Sequence, residues 1–313
     1  MIELKSAVHG RFMLEVAKAD TSGTEIPGTR RVLSPWQDNL ITNTGMDFIG
    51  GAGASPFDFM VAVSVGSGAT APAFTDAALQ ARIATTQTMN TYTYGFTTSA
   101  PFYSWLRKEF QFAAGAAAGV LSELGITGAA GTPAYTRALI KDSGGSPTTV
   151  TVLSDEILIV TYERRTYAST DDVVTTATIK GVSQTITIRP SQIGTSSGMS
   201  GTGSAYWTDY VWGGTWYTGG SGVGPSTGVP SGTAQFYSGT GAGKVDEPYV
   251  AGSYYRDQTM NLRLADAAGL TITGFKGQNS AVAYQIGFVP GVAKTNSETV
   301  ALKLRMSWAR YTP

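Results

Sequence analysis

From Val300 to Trp308 the chain alternates: Val300, Leu302, Leu304, Met306 and Trp308 fall on one side, Lys303, Arg305 and Ser307 on the other. A period of two fits an extended strand with one buried and one wet face, and it does not fit a helix. The same period sets Phe12, Leu14 and Val16 against Arg11 and Glu15 near the start of the chain. It returns in Met260, Leu262 and Leu264 against Thr259, Asn261 and Arg263, and in Val282, Tyr284, Ile286 and Phe288. A chain patterned this way at both ends must build antiparallel sheets, so the late strands are expected to complete a sheet begun by the early ones.

The middle of the chain, Trp105 to Tyr167, is a series of strand-length segments divided by turn signals. Trp105 to Phe112 is rich in aromatics, Val120 to Ile126 and Arg137 to Lys141 are short apolar runs, and Phe59 to Val65 and Tyr92 to Phe96 also read as strands. Asp142-Ser-Gly-Gly-Ser-Pro147 is a turn by composition. Ile157 to Tyr162 is a continuous β-favouring run, as expected of a strand buried on both faces. Val173 to Lys180 and Val182 to Ile188 predict a hairpin turning at Lys180-Gly181. Helical signals are few. Residues 39–50 suit one or two turns, with Thr42 or Asn43 as N-cap and Gly50 or Gly51 closing them, and Thr75 is a candidate cap for a short helix through Ala84. From 194 to 246 Gly, Ser and Thr dominate, interrupted by aromatics. The expected fold is all-β: an antiparallel, jelly-roll-like β-sandwich made by residues 1–193 and 247–313, with one or two short helices and the 194–246 Gly/Ser/Thr/aromatic insertion projecting from it.

Composition narrows the chemistry. The 313 residues contain 22 Lys and Arg against 22 Asp and Glu, so no general attraction to nucleic acid or an anionic membrane is expected. With no cysteine, disulfides and thiolate chemistry are excluded, and with a single histidine, His9, no histidine-rich zinc site is possible. A Ser-His-Asp triad would have to use His9, which reads more simply as an exposed residue near the chain start. The run Gly239 to Lys244 mimics a phosphate loop, but the pattern needs Gly where Ser238 stands and Ser or Thr where Val245 stands. Asp155/Glu156, Asp171/Asp172 and Asp246/Glu247 are adjacent carboxylates that a strand points to opposite faces, so none is a glycosidase dyad by itself. No D-x-D-x-D-G calcium loop occurs. No catalytic, cofactor-binding or metal-ligating residue is assigned, and no enzyme is expected. The first residues, M-I-E-L-K-S-A-V-H-G-R, lack an apolar h-region and predict no signal peptide, and no run approaches the length of a membrane span.

What remains is the aromatic set of the insertion. Tyr206, Trp207, Tyr210, Trp212, Trp216 and Tyr217 are the candidate contact or ligand surface. Large aromatics seek a partner surface, whether their own domain, a neighbouring subunit or the face of a sugar ring.

Several segments resemble virion proteins of tailed bacteriophages, the tail-fibre and minor tail protein family. These are N-L-I-T-N-T-G-M-D-F-I (39–49), V-G-S-G-A-T-A-P-A-F-T-D (65–76), F-A-A-G-A-A-A-G-V-L-S-E-L-G (112–125), R-A-L-I-K-D and P-T-T-V-T-V-L-S-D-E (137–156), and the terminal S-W-A-R-Y (307–311). The resemblance leaves out the 194–246 segment. It implies a non-enzymatic, multi-copy virion component, assembled in the bacterial cytoplasm; the leading expectation is a tail- or fibre-associated role in assembly and host attachment. The expected partners are itself, as a homo-oligomer of three copies, other virion proteins and a host surface glycan. A head decoration or collar protein and a receptor- or glycan-binding module are the alternative readings.

Overall fold

The structure is a computed structural model that describes residues 1–51, 59–191, 213–238, 243–278 and 282–312. In chain order its elements are β1 (Ile2–Lys18), β2 (Arg31–Ile41), α1 (Asn43–Ile49), β3 (Ala62–Gly66), β4 (Arg82–Thr86), β5 (Met89–Phe96), β6 (Tyr103–Phe112) and β7 (Gly119–Leu121). There follow β8 (Glu123–Thr127), β9 (Thr136–Leu139), β10 (Val150–Val152), β11 (Glu156–Ala168), β12 (Val173–Ile179), β13 (Val182–Pro190), β14 (Gly213–Thr218) and β15 (Thr233–Ser238). The last are β16 (Lys244–Asp246), β17 (Tyr255–Leu262), β18 (Thr271–Gln278), β19 (Ala283–Ala293) and β20 (Val300–Arg310).

The fold is all-β, and its sheets are antiparallel except where β1 and β20 run parallel. A twelve-stranded sheet runs β16-β17-β20-β1-β2-β9-β8-β3-β4, with β11, β6 and β5 added on the other edge of β1. A six-stranded sheet runs β12-β13-β19-β18-β14-β15, and β7 and β10 make a small ribbon. This is more than the eight strands of a jelly roll.

β1 is the spine of the molecule. One edge pairs with β20 over Ile2 to Val8 and then with β2 over Gly10 to Val16; the other pairs with β11 from Ser6 to Lys18. Its even-numbered side chains face inward, as the period of two requires. Leu4 enters one apolar cluster, and Val8, Phe12, Leu14 and Val16 enter another. The larger cluster packs these residues with Leu106, Phe110, Leu158, Val160 and Tyr162 against Val63, Val65, Leu124 and Ile126. The other closes the sandwich, with Met260, Leu262, Leu302, Leu304 and Met306 against Ile186, Ile188, Phe275, Tyr284 and Ile286. Gly10 lets β1 pass this close: a Cβ there would lie 2.0 Å from the Tyr162 hydroxyl.

Two local expectations change. The helix expected from Thr75 to Ala84 does not form. Glu123 accepts the backbone N–H groups of Gln80 and Ala81, which holds the chain extended into β4, where it pairs with β3. The other helical reading matches α1, with Thr42 as N-cap accepting from the Gly45 N–H and Gly50 as C-cap. Nor does the 194–246 segment project throughout. Residues 213–238 supply β14 and β15 to the six-stranded sheet, and β16 joins the larger one.

Candidate functional site

The outer face of the twelve-stranded sheet, opposite the cores, carries a ladder of charged and aromatic side chains. Strand register builds it. Arg11 of β1, Glu163 of β11 and Arg107 of β6 lie directly across from one another. The next row is His9, Arg165 and Trp105, and the row beyond it pairs Tyr167 with Tyr103. Directly opposed side chains on one face sit within contact range, so each row is a continuous surface across three strands.

Glu163 is the centre. Its side chain is 1% exposed, and its Oε1 accepts from Arg11 Nε at 2.8 Å and Arg165 Nε at 2.7 Å. Oε2 accepts from Arg107 Nε at 3.0 Å and Nη2 at 2.6 Å. Burial alone would raise the carboxyl pKa, but the three guanidinium groups outweigh it and hold the acid below the usual glutamate range. Trp36 stacks on two of these cations, with its ring 4.4 Å from the Arg11 guanidinium and 5.0 Å from that of Arg107. Arg107 also lies over Trp105, and Arg165 over Tyr103. The Trp105 indole lies flat because its neighbour across the strand is Gly95, where a Cβ would come within 2.6 Å of the ring. Arg30 bridges from Glu15 on β1 to Glu109 on β6, closing the ladder at its other end.

Beyond the tyrosines the ladder meets a groove of about 640 Å³. Tyr311 joins the two, stacked on Tyr167 at 3.7 Å between ring centres and 4° between planes. The groove is lined by His9, Asp38, Asn39, Phe74 and Arg310, among others. His9 Nε2 lies 3.1 Å from Asp38 Oδ1. Burial lowers the His9 pKa, Asp38 opposes this, and Arg165 and Arg11 add to the lowering, so the net shift is downward and the ring is neutral at pH 7. Neutral His9 therefore donates from Nε2 to Asp38, which leaves the buried Nδ1 as an acceptor with no hydrogen-bond partner among the described residues. Arg310 stacks 4.1 Å from the Phe74 ring centre and donates to the Ile41 carbonyl and to Asn43 Oδ1. It faces no carboxylate among the described residues.

The face as a whole is nearly balanced: Arg11, Arg30, Arg107, Arg165 and Arg310 stand against Glu15, Asp38, Glu109 and Glu163. Such a surface recognises by ring planes and placed hydrogen bonds rather than by net charge.

Of the aromatics singled out in the sequence, Tyr206, Trp207, Tyr210 and Trp212 lie outside the described residues. Trp216 is 1% exposed in the sandwich core, edge-on to Phe275, with its Nε1 donating to Ser238 Oγ at 2.8 Å. Tyr217 is also buried. Neither is brought to the ladder. The adjacent carboxylates are engaged in ion pairs: Asp155 and Glu156 share Lys18, Glu156 also meets Arg31, Asp172 pairs with Arg189, and Asp246 with Lys244. Sequence reasoning missed the ladder itself, although its signal was present. Tyr103-x-Trp105-x-Arg107-x-Glu109 and Glu163-x-Arg165-x-Tyr167 place every ladder residue at one parity of its strand. Comparison with protein-family models, curated proteins and solved structures gives no match to this chain.

Proposed function

We propose that the protein is a non-enzymatic structural component of a tailed-phage virion, tail- or fibre-associated and homo-oligomeric, that acts in particle assembly and host attachment. The observation that carries this reading is the outer ladder. It spans three paired strands, its cations are held by a buried carboxylate, and its rings stack on those cations. A face made rigid in advance loses little entropy on docking, which suits a lasting contact between proteins. Its nearly balanced charge makes such a contact insensitive to salt. The resemblance of segments 39–49, 65–76, 112–125, 137–156 and 307–311 to tail proteins supports the same reading. The test is antibody labelling of purified particles. Antibody raised against the recombinant protein is expected to decorate tails in negative stain. Decoration of the head surface would instead place the protein with head decoration proteins, and absence from particles would refute a virion role.

A second reading, attachment to a host surface glycan, is favoured by the groove, where the Tyr311 and Phe74 rings stand beside the Arg310 guanidinium and the Asp38 carboxylate. Phe74→Ala with Tyr311→Ala is expected to abolish binding to host cells while leaving the fold unchanged; equal binding would refute it.

A further inference from the structure

The six-stranded sheet ends in a strand that natural sheets rarely leave bare. β12 reads V-V-T-T-A-T-I from Val173 to Ile179, with no charge and no proline. All its residues but Ile179 are exposed, Val173 at 48% and Val174 at 60%. Among the described residues it pairs with β13 alone, so its outer edge is free. Edge strands are normally protected by charge, proline, a bulge or a cover, because a bare edge is a template for another strand.

We infer that this edge pairs with the same edge of a second copy of the chain, antiparallel and centred on Thr176. The proposal supplies a contact surface for the homo-oligomer proposed above and rests on that part of the reading. Two features of the strand fix the partner and the register. The first is the backbone phase. Ile179 faces Val182 across a two-residue loop, with Lys180 at φ 54° and Gly181 at φ 76°, a type I′ turn. Residues flanking such a turn form a hydrogen-bonded pair, so the odd-numbered residues of β12 bond to β13. The N–H and C=O groups of Val174, Thr176 and Thr178 therefore point to the free edge. A partner centred on Thr176 pairs Val174 with Thr178, Thr176 with Thr176, and Thr178 with Val174, so every outward group bonds.

The second feature is the side chains. In this register Val173 lies across from Ile179 of the other copy and Thr175 from Ala177. These residues share the face of Ile186 and Ile188, their neighbours on β13, which belong to the sandwich core. The pairing joins the apolar inner faces of the two sheets.

Pairing of this kind is two-fold and gives an even number of copies, where the fibre reading expects three. The experiment combines light scattering with single-cysteine variants, which the absence of native cysteine makes clean. The wild-type chain is expected at twice its 32.7 kDa mass. Thr176→Pro removes only an outward N–H and is expected to give the single-chain mass with an unchanged far-UV spectrum. Under oxidation Thr176→Cys is expected to form a covalent dimer, since opposed residues of a hydrogen-bonded pair lie about 5.5 Å apart at Cα, within disulfide reach. Val174→Cys is expected to stay uncoupled, its counterpart being displaced by four residues, roughly 13 Å along the strand. Coupling of both variants alike, or of neither, overturns the register. A three-chain mass overturns the edge pairing but leaves self-assembly standing; a one-chain mass overturns both. Particle labelling tests the virion reading separately.

Discussion

Glu163→Gln tests whether the outer ladder is a structural unit or a set of loose surface pairs. The substitution keeps the shape of the side chain and removes its charge. The carboxylate receives four N–H donors at 2.6 to 3.0 Å. Hydrogen bonds to a charged group contribute about 1.5–3 kcal/mol each, but their sum overstates the loss, because burying the carboxylate costs several kcal/mol in the first place. Glutamine offers one acceptor oxygen, and its amide group turns donors toward a guanidinium. Removing one member of a buried ion pair costs about 3–5 kcal/mol. The three arginine side chains are 24%, 36% and 18% exposed, so they recover part of that by turning to water. The expected loss is about 3 kcal/mol, a large share of the roughly 5–15 kcal/mol that holds a domain together.

Urea unfolding followed by tryptophan fluorescence reads the loss directly. With a slope of about 3 kcal/mol per molar, the midpoint of the transition is expected to fall by about 1 M. The pH dependence has a definite sign. Glu163 titrates below its ordinary 4.5 in the folded chain, so its contribution is full above that value and is lost as pH falls through the lowered folded one. The variant is expected to lack this acid-side slope. Because the carboxylate is buried, added salt is expected to change the wild-type midpoint little. A loss below about 1 kcal/mol would put Glu163 in the class of exposed ion pairs and refute the reasoning.

Glu123, fully buried, accepts from the Gly68, Gln80 and Ala81 amides and from Arg137 Nε; in Glu123→Gln those three amides are expected to exchange with solvent at least tenfold faster, and unchanged exchange would remove Glu123 as the tether of that loop. Trp216→Ala is expected to cost about 3–5 kcal/mol in thermal or urea unfolding by opening a cavity in the sandwich core, and a neutral result would mean that the ring is not packed there. His9 titrates below its ordinary 6.5, so stability is expected to be full above that value and to decline as pH falls through the lowered one; His9→Gln should flatten this slope, and the single imidazole proton signal titrating at or above 6.5 would contradict it.

The strands were legible because their pattern is local. The alternation at 12–16 and 300–308, the Lys180-Gly181 turn and the Thr42 cap each follow from side-chain parity or turn chemistry within a few residues. What failed depended on residues far apart in the chain. Thr75 to Ala84 has the local signals of a helix, and it is a side chain from β8, Glu123, that draws its backbone straight. Trp216 sits in a Gly-rich segment that reads as a loop, yet Phe275 and Ser238 give it a core position. The ladder was half legible. Each outward row could be read from its own strand, but register alone places Arg11, Glu163 and Arg107 side by side, and Arg11 and Glu163 stand 152 residues apart in the chain.

The two cores, the ladder and the free edge are linked through β1. Its inward face enters both apolar clusters, and its outward face supplies His9, Arg11 and Glu15 to the ladder and the groove. A strand held along both edges by β11, β2 and β20 cannot shift by one residue without turning Leu4 and Phe12 to water and Arg11 into the core. The sandwich core that seats β13 is therefore tied to the sheet that displays the ladder. On the functional reading proposed above, the two surfaces divide the work: the ladder and groove face a partner of different chemistry, and β12 faces its own kind. Loss of β12 pairing is then expected to leave the ladder's contacts intact, because among the described residues its strand pairs with β13 and with no strand of the ladder.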